Sequence, residues 1–315
     1  MNTATTNSVP HIGQVLLATD FSAASVGAFQ AALKICGLFC ADLLVLHVFE
    51  YSDVVAPGMA SAVVGVGAYR ESAQCKLDAL RRDAERMGLK VEAMMEEGVV
   101  SATILETIQA REIDLAVLGT NASHGLERLV FGSTAEMVLR KAPCPVLTVG
   151  PHVSLPDGAG TPPGPVIFAT DFNTASLRSA SYAACLSQKT GADLHCLHVL
   201  PQSAPTSKET AVPQVFRTAL QRLVEEGGLT DDQPVCALVY DREVSAGVVK
   251  YAAQHAATLI VLGVQRAPDL AAHLRGQITY RIIAEATCPV LTVSFPAHRH
   301  SLAMMAGVQG AVPQG

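Results

Sequence analysis

The chain has 315 residues, half of them apolar and 16% charged, with a net charge of −6 and an isoelectric point near 5.9. That length suits two ordinary domains, each able to bury its own core. The acidic balance and the scattered Lys and Arg exclude an electrostatic footprint for nucleic acid, and no apolar run reaches membrane-spanning length. Val54–Ala68, the nearest approach, is broken by Pro57, Gly58, Gly65 and Gly67.

Taken in order, the first half opens on an apolar strand at about Gln14–Thr19. A helical pattern follows over Ser22–Leu38, with apolar residues three and four apart and Gly37 near its end. A second strand ends in His47 and Val48. After a loose Gly/Ala/Val stretch come a charged helix, Tyr69–Met87, closed by Gly88, and a third strand, Val91–Glu96. A third helix, a fourth strand (Leu115–Leu118), a long loop, a fourth helix and the strand of Cys144–Val149 complete it.

The second half repeats this plan. Val15–Ser22 (VLLATDFS) returns as Val166–Asn173 (VIFATDFN), and Ala41–Val48 (ADLLVLHV) as Ala192–Val199 (ADLHCLHV). Leu115–Gly119 (LAVLG) returns as Leu259–Gly263 (LIVLG), and Cys144–Val149 (CPVLTV) as Cys288–Val293. Early blocks are offset by 151 residues (Asp20 to Asp171) and late ones by 144 (Cys144 to Cys288), so the second copy has lost seven residues between about 200 and 243. A period this long is a duplicated domain and not a solenoid. Strands at Pro165–Thr170, Val235–Tyr240 and Leu259–Leu262 alternate with helices at Thr174–Thr190, closed by Gly191, and around Lys208–Glu226.

Alternating strands and helices imply parallel pairing through crossovers. The expected fold is α/β: two tandem, doubly wound domains of about five strands each. The domains run over 11–150 and 165–296. A linker rich in Pro and Gly (151–164) lies between them, and a disordered tail (297–315) follows. The N-terminus lacks a basic segment followed by an apolar one, which predicts a cytoplasmic protein. The eight cysteines form no CxxC pair and read as small buried hydrophobes in a reducing compartment.

In open parallel sheets, ligands sit beyond the carboxyl ends of the strands where strand order reverses. Thr19 and Asp20, His47 and Val48, and the loop from Gly119 end there in the first copy. That loop runs through Gly125 to Gly132, Ser133 and Thr134 at the start of a helix, whose free N–H groups, hydroxyls and dipole suit a phosphate. The alternative is that Ser133 caps the helix and Gly119 makes a turn. His47 and His198 end buried strands and read as packed, hydrogen-bonded imidazoles. The isolated His11–Gln14 (HIGQ) and Gly65–Gly67 (GVG) segments carry no mechanism in their positions.

Together these blocks resemble the universal stress protein family, over Gly13–Gly150 and Pro165–Ser294. The resemblance implies an adenine-nucleotide alpha hydrolase-like fold, with Val146–Val149 and Val290–Val293 pairing edge to edge as an intramolecular pseudo-dimer. It also implies ATP, with Mg2+, as the ligand. Thr19, Asp20 and the backbone of Val48 would hold adenine and ribose, while Gly119, Thr120 and Gly125 would line the sugar–phosphate path. Gly132, Ser133 and Thr134 would hold phosphates. Nucleotide-binding members have a glycine where Ala122 stands, and that methyl costs on the order of 1 kcal/mol if φ is positive.

In the second copy Arg266, Asp269 and Gln277 replace the corresponding glycines and serine. The second site is therefore expected to be degenerate, with the second domain supplying a partner surface. The expected function is a cytoplasmic, nucleotide-responsive regulatory module for stress, with hydrolysis at most slow. Partners would be the adenine nucleotide, a second copy of the chain and unidentified proteins, without nucleic acid or membrane. The alternative is a nucleotide-independent scaffold in which both domains are structural.

Overall fold

The computed structural model describes residues 10–50, 62–120, 123–125, 128–130, 132–154, 163–172, 174–201, 218, 234–266 and 270–296. In the first domain the strands are β1 (Gln14–Ala18), β2 (Asp42–Phe49), β3 (Val91–Glu97), β4 (Leu115–Gly119), β5 (Ser123–Gly125), β6 (Arg128–Val130) and β7 (Val146–Val149). Its helices are α1 (Ala23–Phe39), α2 (Ala62–Arg86), α3 (Val100–Ala110) and α4 (Ser133–Lys141). The second domain comprises β8 (Val166–Ala169), α5 (Thr174–Thr190), β9 (Leu194–Pro201), β10 (Val235–Asp241), α6 (Val244–Gln254), β11 (Leu259–Arg266), α7 (Leu270–Glu285) and β12 (Val290–Pro296).

Ten strands form one sheet in the order β3-β2-β1-β4-β7-β12-β11-β8-β9-β10. The central runs of Leu, Val and Ile are buried on both faces, as parallel strands covered by helices must be. The outermost strands, β3 and β10, are only partly buried and carry Glu92, Glu96, Glu97 and Asp241, a charged dressing that protects free sheet edges. Two apolar layers flank the sheet. One packs α1, α2 and α5 against one face, and the other packs α3, α4, α6 and α7 against the opposite face.

The domains join as the family resemblance implied. β7 and β12 pair antiparallel, Val146 with Thr292, Leu147 with Leu291 and Thr148 with Val290. The Thr148 hydroxyl adds a bond to the Val290 carbonyl at 3.2 Å. At the far ends of α1 and α5, Lys189 donates to the Leu38 carbonyl at 3.1 Å and lies 4.8 Å from the Phe39 ring centroid, placing a cation at a helix C-terminus.

Several local expectations are corrected. Gly37 lies inside α1, and the left-handed residue that ends this helix is Cys40 (φ 54°). Gly88 and Gly191 do adopt positive φ at their helix ends. The charged helix begins at Ala62 and not at Tyr69: extending an existing helix needs no new nucleus, so Ala62–Ala68 joins it. The loop after β4 contains the antiparallel ribbon β5–β6, which the periodicity did not show. In the second domain β11 runs to Arg266, and α7 starts at Leu270, inside the span read as a loop. There, Leu274 and Arg275 stand where the first domain has Val130 and Phe131, exchanging strand formers for helix formers. Apart from Thr218, the helix expected near Lys208–Glu226 falls outside the described residues, as do the tail from 297 and the middle of the linker.

The linker's glycines at its two ends serve close approach. A Cβ on Gly150 would collide with the Ile283 carbonyl of α7, and one on Gly164 with the Ala256 carbonyl. Gly150→Ala should therefore lower stability by about 1–3 kcal/mol. Gly37→Ala, where a methyl meets nothing within 4 Å, should raise it by about 0.5–1 kcal/mol. Urea midpoints of the two variants against wild type check both signs.

Candidate functional site

Strand order reverses between β1 and β4, which are paired neighbours. The chain leaves β1 into α1 on one face and reaches α4 on the other, so a crevice opens at their carboxyl ends. A tight turn builds its first wall. The Thr19 hydroxyl accepts the Phe21 N–H at 3.1 Å, and Phe21 takes left-handed φ at 61°. The Asp20 carboxylate accepts the Ser22 N–H at 2.9 Å and the Ser25 hydroxyl at 2.6 Å. Burial raises the Asp20 carboxyl, but side-chain bonds from Ser22 and Ser25 and two backbone N–H groups outweigh it and hold the group below 3.8. The carboxylate is thus ionised, aimed and still exposed to a ligand.

His47 supports this turn from beneath. Its Nδ1 donates to the Thr19 carbonyl at 2.8 Å, which fixes the tautomer, so Nε2 accepts the Tyr69 hydroxyl at 2.9 Å. The Phe21 ring lies 4.4 Å from the imidazole between centroids, and Lys76 lies 5.1 Å from the other ring, Phe21's own centroid. Both expected histidines are packed and bonded: His198 Nδ1 donates to the Thr170 carbonyl at 2.7 Å, and Phe172 repeats the 61° φ.

The remaining predicted residues divide by what the fold demands of them. Val48 is buried in β2, two residues past the last β1–β2 pair, Ala18 with Leu46. Gly119 is required by packing, because a Cβ would lie 2.5 Å from the Ala24 carbonyl oxygen of α1. Thr120 is 2% exposed, and among the described residues its buried hydroxyl has no hydrogen-bond partner. Gly125 belongs to the β5–β6 ribbon, opposite Arg128.

Gly132, not Ser133, is the N-cap of α4, and as a glycine it has no side chain with which to cap the helix. Its φ of −56° is ordinary and a Cβ would meet nothing within 4 Å. Ser133 is exposed in the first turn and Thr134 half-buried beside it. Ala122 lies outside the described residues.

The second domain shows which positions converge. A cavity of about 280 Å³ lies at the carboxyl ends of β8, β9 and β11. Its lining includes Thr170, Asp171, Val199, Gly263, Val264 and Ile278, the repeat counterparts of Thr19, Asp20, Val48, Gly119, Thr120 and Thr134. Sequence reasoning missed Ser25, Tyr69 and Lys76. Only Ser25 had a local signal, five residues beyond Asp20 at the start of a helix.

Cys36, Cys144, Cys185, Cys196 and Cys288 are buried, and burial pushes the thiols of Cys36, Cys196 and Cys288 up to about 12. Cys40 and Cys75 are exposed, contrary to the uniform burial expected. Among the described residues no His/Cys/Asp/Glu group could hold a metal, and no helix is long and apolar enough to cross a membrane.

Burial holds His47 below its ordinary 6.5, ahead of the opposing bond to the Thr19 carbonyl and the Asp20 charge. Below pH 6.5 the unfolded chain takes this proton before the folded one does, so the His47 contribution is complete above 6.5 and erodes as pH falls. Imidazole NMR titration should place its midpoint below 6.5. Tyr69→Phe should cost about 1 kcal/mol of stability at pH 8.

Similarity to known proteins agrees with this architecture. The sequence profile described as the universal stress protein family matches residues 11–150 and again 164–294. A universal stress protein of Methanocaldococcus jannaschii is 34% identical over 137 residues, 43% of this chain and 81% of that one. One from Mycolicibacterium smegmatis is 25% identical over 292 residues, 89% of this chain and 96% of that one. The solved structure of a universal stress protein from Archaeoglobus fulgidus shares the fold, with a TM-score of 0.67 at 19% identity, over 89% of this chain and 98% of that one. With both halves matched in turn, the chain belongs to the universal stress protein family and carries two of its domains in tandem.

Proposed function

We propose that the first domain binds an adenine nucleotide, ATP with its Mg2+, and that the protein is a cytoplasmic regulatory module responding to that nucleotide under stress. The observation that carries this reading is the start of α4. It is a helix N-terminus whose N-cap is a glycine, a residue with no side chain to bond the first N–H groups and one that neither backbone conformation nor packing requires. Such a terminus offers unsatisfied N–H groups and a positive dipole end to an anion. The buried hydroxyl of Thr120 supports it, since an unmatched buried hydroxyl costs about 1–3 kcal/mol until something bonds it.

In this reading Thr19, Asp20 and the Val48 backbone hold the adenosine, and Gly119, Thr120 and Gly125 line the path to the phosphates. Gly132, Ser133 and Thr134 take the phosphates themselves. ATP, when bound, supplies the phosphate charge that the α4 terminus lacks. Hydrolysis is at most slow: Asp20 is held by two serines and His47 is engaged at both ring nitrogens, so neither is poised as a general base.

Titration calorimetry with Mg–ATP tests the reading. Wild type should bind saturably at one site. Gly132→Asp should keep its stability or gain a few tenths of a kcal/mol, because Asp is a good N-cap, yet lose at least tenfold in ATP affinity. Thr120→Val should stabilise the ligand-free protein by about 1 kcal/mol and weaken ATP. Absence of binding by wild type would replace this reading with the nucleotide-independent scaffold.

A further inference from the structure

The second domain keeps the crevice but has changed its chemistry. Where the first domain has Thr120 and Thr134, the second has Val264 and Ile278, both lining the cavity of about 280 Å³. Val248 replaces the larger Ile104 at its wall. Two changes run the other way, Thr279 for Ala135 and the larger Ile282 for Val138. Ile278 is 37% exposed at this rim, an aliphatic surface that water covers poorly.

The anion-binding device is also gone. α7 begins at Leu270, so Gly276 and Gln277 lie within the helix and present no N-terminus to the crevice. Among the described residues lining the cavity, the exposed Asp171 is the one that is charged, and it repeats Asp20 of the first domain, so the difference between the two crevices lies in the opposite wall.

We infer that the second domain holds a separate binding site for an uncharged, predominantly apolar small molecule lacking phosphate. Size follows from the cavity. An apolar cavity of about 150 Å³ takes benzene, so this one accommodates a molecule of two or three rings. Its volume sits at the small end of ligand pockets. The polar lining groups Thr170, Thr279 and His198 orient such a molecule, while the aliphatic wall supplies the burial energy. This inference stands independently of nucleotide binding in the first domain.

Two fluorescent probes with a common aromatic frame test it: neutral N-phenyl-1-naphthylamine and its sulfonated counterpart 8-anilinonaphthalene-1-sulfonate. Using the full chain, the neutral probe should bind one site at least tenfold more tightly than the sulfonate. It should do so equally well in Gly132→Asp, and excess ATP should not displace it from that variant. Val248→Phe, which fills the cavity, should weaken it at least tenfold. The double variant Val264→Thr, Ile278→Thr restores the first domain's residues at the half-buried and exposed lining, and should weaken it several-fold with the fold kept. Lack of saturable binding, binding untouched by both cavity variants, equal affinity for the sulfonate or displacement by ATP would each overturn the inference.

Discussion

Three cross-strand pairs, Val146 with Thr292, Leu147 with Leu291 and Thr148 with Val290, make one sheet of two domains. Without them each five-stranded sheet would expose β7 or β12 as a flat apolar edge, a template for uncontrolled pairing. With them both apolar layers run across the seam: Leu147 and Val149 share a layer with Leu291 and Val293, and Val146 shares the other with Val290. The seam also brings Gly150 against the Ile283 carbonyl and Lys189 to the Leu38 carbonyl. The segment between the domains is therefore not what holds them in register.

Glycines in this chain serve two different ends, and separating them bears directly on function. Gly119 and Gly150 have no side chain because backbone carbonyls from another element occupy that space. Gly132 has open space and an ordinary φ. A glycine of the first kind reports packing. One of the second kind, at a helix start, leaves the first N–H groups to be met by something other than its own side chain.

The duplicated crevices have diverged along a readable line. Both keep the Thr-Asp-Phe turn, with Phe21 and Phe172 in left-handed φ and each threonine hydroxyl accepting the phenylalanine N–H. This costs roughly 1–2 kcal/mol of backbone strain per phenylalanine, offset by the packing of each ring on a strand-end histidine. The turn is a property of the scaffold and does not distinguish one ligand from another. Chemistry diverges at the opposite wall, where the first domain presents hydroxyls and a helix terminus and the second presents Val264, Ile278 and the body of α7.

The duplication, the alternation of strands and helices, the parallel sheet and the residues at strand ends were legible in the sequence. They rest on local periodicity and on motifs of fewer than ten residues, which short-range sterics and burial impose wherever they occur. Several features were decided only in three dimensions: the bond between His47 and Tyr69 across 22 residues, the demand for a glycine at Gly119, and the unmatched hydroxyl of Thr120. Each depends on which backbone another element brings alongside, and sheet register sets that, not local propensity. The same holds for α7. Leu270–Arg275 is helix where the first domain has its ribbon, and Leu274 and Arg275 there replace the strand formers Val130 and Phe131. That change moves the helix start to Leu270, ahead of Gly276, the counterpart of Gly132, and leaves a largely aliphatic cavity, a consequence invisible until the strands and helices are assembled.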